Sequence, residues 1–195
     1  ALPALGFAGA NVTLPHKAAV IPLLDTLEPQ ARRIGAVNVI YKRGDGALVG
    51  TNTDAPALIE ALRDEGGFDP ADRRVVVLGA SGAARAAAYA LVDAGVSQLV
   101  VANRTLERAE TLLADVLVDL IGDAETAVEL LTIPPAERNN GLNIQVAGAD
   151  EEALPILVAL GMDDAELSDY IASSDLLINA TSLGWHADET PLPDP

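Results

Sequence analysis

Lys17 closes the run Asn11-Val12-Thr13-Leu14-Pro15-His16-Lys17, and its position rather than its type makes it a chemical candidate. The residues from Ala10 to Leu14 favour a short strand. Pro15 stops it, because proline lacks a ladder N–H and fixes φ, so Lys17 is predicted at a strand's end. An ammonium there can serve as the proton donor of a carbonyl reduction, supplying charge and a proton as an alkoxide develops. Read alone, the position more often marks a solvated lysine opening the next helix. Asp54 is the second candidate, at a predicted strand-to-helix junction. Its carboxylate can cap that helix, with Pro56 in the first turn, and it can also hold a neighbouring lysine charged and in place.

The third candidate is a turn. Arg74 to Gly79 is a near-continuous apolar run of the kind buried in a parallel sheet, and Gly79-Ala80-Ser81-Gly82-Ala83 leads from it into an Ala-rich helix reaching about Ala94. Leu99 to Ala102 is the next strand. A glycine turn at a helix N-terminus within a βαβ unit suits a pyrophosphate, which meets backbone N–H groups and the positive end of the helix dipole. A tight turn without a ligand is the plain alternative. Ser81 stands where glycine brings the backbone closest to the phosphates, and Ala84 replaces the third glycine; serine serves if its φ is negative. At the end of the second strand, where an NAD site usually presents a carboxylate, the chain has Asn103-Arg104-Thr105, with Arg108 one helical turn on. Two guanidiniums and no acid there favour a ribose 2′-phosphate.

Composition narrows the setting. Half of the 195 residues are apolar, enough for one large domain or two small ones. No apolar run reaches the roughly 18 residues of a membrane span and no signal-like segment opens the chain, so a cytoplasmic location is the default expectation. There is no cysteine, and histidine occurs only at His16 and His186, so a disulfide, a thiol nucleophile and the usual zinc site are excluded. His186 reads as a surface residue. A net charge of −17 argues against nucleic acid and anionic lipid, and a phosphate ligand would need a local basic pocket.

The elements that must position these groups read as α/β throughout. Residues 18–33 carry a helical pattern interrupted by Pro29. Gly35 to Tyr41 and Ala47 to Gly50 read as strands around a turn at Arg43-Gly44-Asp45-Gly46, and a helix runs from Asp54 to the Gly66-Gly67 stop. Residues 106–121 read as a helix, Leu142 to Val146 as a strand, and Glu151 to Leu160 as another helix. Asp175 to Ala180 is a strand, with Thr181-Ser182-Leu183-Gly184 as a loop on the ligand edge of an open sheet. The elements read as a small α/β unit over the first fifty residues and a parallel-sheet nucleotide unit after it.

Six blocks in this order resemble the shikimate dehydrogenase family: Asn11 to Lys17, Gly35 to Asn38, Asn52 to Asp54, Gly79 to Ala83, Asn103 to Thr105 with Arg108, and Asn179 to Gly184. The resemblance implies reduction of 3-dehydroshikimate to shikimate with NADP as cofactor, by a monomer or homodimer. It also implies a division at 1–53, the last part of a smaller α/β substrate domain, and 54–195, a Rossmann-like nucleotide domain with a parallel sheet and an insertion within 115–173. It makes Lys17 and Asp54 the catalytic pair and Thr13 and Asn38 partners of substrate hydroxyls. Gly79 to Ala83, Asn103, Arg104, Thr105, Arg108 and Thr181 become the cofactor residues. A quinate/shikimate dehydrogenase of broader choice and a catalytically silent NADP-binding sensor are the alternatives. The family's Ser-x-Ser for the substrate carboxylate would lie before Ala1 and its Gln-bearing segment beyond Pro195. The chain is therefore expected to be a piece of a longer protein, inactive by itself. Ala55, Ala57 and Val39 depart from the family pattern.

Overall fold

The computed structural model describes residues 6–122, 154–184 and 190–191. The first sheet contains β1 (Gly9–Asn11), β2 (Thr26–Leu27), β3 (Val39–Lys42) and β4 (Leu48–Thr51), in the spatial order β1-β3-β4-β2. β3 runs antiparallel to both β1 and β4, while β2 lies parallel to β4. Helix α1 (Pro29–Ile34) ends at Gly35, whose φ of 70° is the left-handed conformation that closes many helices. Glu28, just before α1, accepts hydrogen bonds from the Tyr41 hydroxyl at 2.7 Å and the Thr51 hydroxyl at 2.9 Å. Those two donors hold its carboxyl below the usual range.

The helix expected over 18–33 is therefore broken. A short 3-10 turn spans Ile21–Leu23, with Pro22 inside it, and Thr26 and Leu27 pair with Val49 and Gly50 as a strand. Two features outweigh the helical spacing: Pro22 removes an N–H, and the open edge of β4 offers partners to the backbone. Asp25 reinforces that edge, its N–H donating to Leu48 O at 3.0 Å and its carboxylate accepting from Leu48 N at 2.7 Å. β1 is also shorter than expected, so Lys17 sits in a turn six residues beyond the strand rather than at its end.

Helix α2 (Asp54–Glu60), extended by a wider turn over Ala61–Glu65, leads to the second sheet. That sheet consists of β5 (Arg74–Leu78), β6 (Gln98–Asn103), β7 (Ile156–Gly161) and β8 (Leu176–Asn179), all parallel, in the order β7-β6-β5-β8. Helix α3 (Gly82–Asp93) connects β5 to β6, α4 (Leu106–Ile121) follows β6, and α5 (Leu167–Ser173) precedes β8. The chain winds outward one way from β5 to β7 and then returns to the other side of β5. Its switch point lies between β5 and β8, where open α/β sheets bind ligands.

Both faces of this sheet are covered. Val75, Val77, Leu99 and Val101 pack with Leu112, Leu113 and Leu117 of α4, while Val76, Leu78 and Val100 pack with Leu167 of α5. Ile34, Ala36 and Ala55 belong to the same buried cluster as α3, so one core runs from the first sheet's helices into the second. The helix expected over 151–160 is instead β7 from Ile156. A short apolar run does not distinguish a buried strand from a helix by period, and pairing with β6 decides it. The expected strand over 142–146, most of the expected insertion and His186 lie outside the described residues. Among the described residues no helix is long and apolar enough to cross a membrane.

Candidate active site

The Lys17 ammonium donates to Asp54 Oδ2 at 2.5 Å, with the two side chains 15% and 32% exposed. Three separate stretches hold this pair. The backbone O of Lys17 accepts from Val37 N at 2.8 Å, so the turn carrying the lysine is pinned to the chain just after α1. Asn38, next along, donates through Nδ2 to Asp54 Oδ1 at 2.7 Å and to Thr53 Oγ1 at 2.9 Å, and its Oδ1 accepts from Thr53 N at 2.9 Å. Both amide hydrogens of Asn38 are thereby used within the protein, leaving acceptor capacity on Oδ1 for a ligand donor.

Asp54 is the first residue of α2 and does not cap it. That task falls to Asn52, 1% exposed, whose Oδ1 accepts from Asp54 N at 3.0 Å and Ala55 N at 3.3 Å while its Nδ2 donates to Ala36 O at 3.0 Å. With the cap supplied two residues earlier, the Asp54 carboxylate is released to face Lys17. Sequence reading passes over Asn52 as a site residue, although an Asx side chain two residues before a helix start is a recognisable turn signal. Asn52→Ala should destabilise the fold by about 2 to 3 kcal/mol, since it removes a cap and leaves the buried Ala36 carbonyl unpaired. A urea midpoint close to that of the unsubstituted chain would show that those backbone groups find other partners.

Lys17 opens onto a cleft of about 900 Å³ at the switch point. One wall is Thr13 to Pro15 with Lys17, and the facing wall is Ala80 to Ala83, Asn179 to Ser182 and Arg108. Gly79 has φ 104°, and a side chain there would press on the Ala180 carbonyl at 3.0 Å, so only glycine lets the β5 turn lie against the β8 loop. Ser81 has φ −81° and acts as the N-cap of α3, its Oγ accepting from Ala83 N and Ala84 N and donating to Ala180 O at 3.0 Å. Asn179 shapes the opposite loop, accepting from the Thr181 hydroxyl at 2.7 Å and donating to Leu183 O at 2.9 Å.

Among the described residues the charged side chains lining the cleft are Lys17 and Arg108, with the Asp54 carboxylate behind Lys17 as its partner. In a chain of net charge −17 this is the local basic pocket that an anionic ligand requires. Its components fit a dinucleotide phosphate: a glycine turn, the start of the twelve-residue helix α3 and a guanidinium in the first turn of α4. Of the predicted cofactor residues, Ala80 to Ala83, Arg108 and Thr181 line the cleft and Gly79 shapes its turn. Asn103, Arg104 and Thr105 are outside its lining; Asn103 Nδ2 donates to Thr105 O at 2.7 Å to shape the turn before α4, and Arg104 is exposed.

Comparison with known proteins decides the family. The substrate binding domain of shikimate dehydrogenase matches residues 1–40, and the shikimate / quinate 5-dehydrogenase domain matches residues 62–131. The shikimate dehydrogenase (NADP(+)) of Moorella thermoacetica is 46% identical over 194 residues, which cover 98% of this chain and 54% of that protein. The chain belongs to the shikimate dehydrogenase family. The crystal structure of the Thermus thermophilus shikimate 5-dehydrogenase in complex with NADP(H) and shikimate matches with a TM-score of 0.62 at 34% identity, over 96% of this chain and 53% of that one. The quinate dehydrogenase of Corynebacterium glutamicum in complex with NAD matches with a TM-score of 0.65 at 31% identity, over 92% and 51%. The chain thus spans about half the length of the curated relatives it matches. Within that family, the six blocks singled out in the sequence run from the Lys17 turn to the β8 loop, and four of them contribute residues to the cleft lining.

Proposed function

We propose that this chain supplies the reacting pair and the nucleotide-binding part of a cytoplasmic NADP-dependent shikimate dehydrogenase, which reduces 3-dehydroshikimate to shikimate on the route to chorismate and the aromatic amino acids. In this reading residues 1–53 close the substrate domain and 54–195 form the Rossmann-like domain. The observation that carries the reading is the Lys17–Asp54 pair at the edge of a cleft that also contains the start of α3 and Arg108.

Gly79 to Ala83, Thr181 and Arg108 would hold the nucleotide, with Asn103, Arg104 and Thr105 at its adenosine end. NADPH, when bound, supplies the hydride for the carbonyl carbon. Lys17 provides the charge and the proton at the carbonyl oxygen, with N–H donors remaining beyond the one given to Asp54. Asp54 keeps the ammonium aimed, and Asn38 keeps Asp54 aimed. Thr13, on the same wall, offers its hydroxyl to a substrate hydroxyl, and the Asn38 side-chain carbonyl accepts from a substrate O–H.

The test is a hybrid in which residues 1–195 replace the matching segment of the Moorella thermoacetica relative. It should reduce NADP+ when shikimate is added, followed by NADPH absorbance. A hybrid that binds NADP+ but gives no shikimate-dependent reduction, beside an active parent, would refute the reading. Likeness to a quinate dehydrogenase supports a second reading of broader substrate choice. Comparable kcat/KM for quinate and shikimate in the same hybrid would favour it.

A further inference from the structure

Helix α3 carries a stripe of residues that meets the substrate-side half of the chain, and beyond Gly82 no step above uses it. Its members, Gly82, Arg85, Tyr89 and Asp93, recur at helical spacing. A Cβ on Gly82 would lie 2.9 Å from Lys17 Cβ and 3.2 Å from Lys17 Cδ, so the lysine stem rests directly on the helix's first turn. Arg85, one turn on, has a side chain 19% exposed. It donates through Nε to Ile34 O at 2.6 Å and through Nη2 to Asp115 of α4 at 2.8 Å. Further along, Arg33 lies over the Tyr89 ring at 5.3 Å, bonds Asp93 through both Nη groups and reaches Asp119 through Nε.

We infer that Arg85 is a positioning residue that ties the reacting pair to the nucleotide helix. Ile34 O is a terminal carbonyl of α1, without a helical partner, and a guanidinium is its natural complement at the negative end of the helix. The chain leaving that carbonyl reaches Val37, whose N–H holds Lys17 O, and then Asn38, whose Nδ2 holds Asp54. Arg85 therefore fixes residues 34–38, and those residues fix both members of the pair. Asp115 keeps the guanidinium oriented from the far side. The Arg33 contacts join the same two halves at the opposite end of α3 and touch neither member, so they stabilise the junction without setting the lysine.

This inference rests on Lys17 and Asp54 being the reacting pair, but its test does not require turnover. The chain has two lysines, Lys17 and the exposed Lys42, so their relative rates of acetylation by acetic anhydride, read by peptide mass spectrometry in the 195-residue chain, report the restraint on Lys17 against an internal reference. Arg85→Ala should raise the Lys17-to-Lys42 ratio about tenfold, as expected from losing charge-assisted bonds that hold the block. Arg33→Ala should lower the melting temperature yet leave the ratio within about twofold of the unsubstituted chain. Arg85→Lys keeps the charge but cannot reach Ile34 O and Asp115 together, and should give an intermediate ratio.

An unchanged ratio in folded Arg85→Ala, or an equal rise in Arg33→Ala, overturns the inference. If Arg85→Ala does not fold, an unchanged ratio in Arg85→Lys overturns it instead. In the hybrid, Arg85→Ala should lower kcat about tenfold with KM for NADP+ little changed. Failure of the catalytic reading would show separately, as an unsubstituted hybrid without shikimate-dependent reduction whose lysine ratio still responds to Arg85→Ala.

Discussion

Lys17→Ala in the hybrid enzyme is expected to lower kcat by a factor on the order of 10² to 10⁴ with a smaller change in KM, because in the proposed reaction the substitution removes the proton donor at the reacting oxygen. The structure sharpens the companion experiment. Asp54 makes no capping bond to α2, since Asn52 supplies that bond, so Asp54→Asn should cost rate while leaving the helix start intact. An asparagine can still accept from Asn38 through its oxygen, but it then turns an amide group toward the ammonium and loses the negative charge. The expected pattern is two variants with melting temperatures close to the parent and sharply reduced kcat. A near-normal kcat for Lys17→Ala would remove the lysine from the mechanism. A large loss of stability in Asp54→Asn would instead make the carboxylate a structural anchor, with any rate loss following from that.

The parts of this fold that can be read directly are those whose determinants are local. Val75 to Leu78 and Leu99 to Ala102 are apolar without alternation because both faces of their sheet are covered, and α4 begins and ends where its apolar spacing does. β2 and β7 read as helix in the sequence because what makes them strands is a partner far away in the chain: β4 for Thr26–Leu27 and β6 for Ile156–Gly161. The same division runs through the site. Residue types and junction positions point to Lys17, Asp54 and the turn at Gly79. The hidden layer consists of residues that act through others: Asn52 releasing Asp54 from capping, Asn38 turned inward on Asp54, and Arg85 gripping a backbone carbonyl. Of these only Asn52 carries a recognisable signal, its place two residues before a helix start; the roles of Asn38 and Arg85 depend on which atom of another segment lies within reach. Gly82 belongs to both layers, because its place in the turn is legible but the lysine stem pressed against it is not.

Cofactor choice follows from the same charge distribution. The chain as a whole repels anions, so any preference for the nucleotide with an additional phosphate must arise locally. Arg108 lines the cleft, and Arg104 stands exposed just beyond the end of β6, where an adenosine ribose would lie in a Rossmann-like site. A guanidinium can pair with a 2′-phosphate through its planar fork and also lie over the adenine, which an ammonium does poorly. Charge-assisted hydrogen bonds contribute roughly 1.5 to 3 kcal/mol each, so two of them predict a preference for NADP(H) over NAD(H) of about a hundredfold or more. Arg104→Asp should erase or reverse that preference, since a carboxylate repels the 2′-phosphate and accepts a hydrogen bond from the NAD ribose. Arg108→Ala should weaken NADP(H) more than NAD(H) without creating a new preference. The measurement is kcat/KM for both cofactors in the hybrid, unsubstituted and with each replacement. Equal use of the two cofactors before substitution, or a ratio that neither replacement moves, would reduce these arginines to solvated residues around the start of α4.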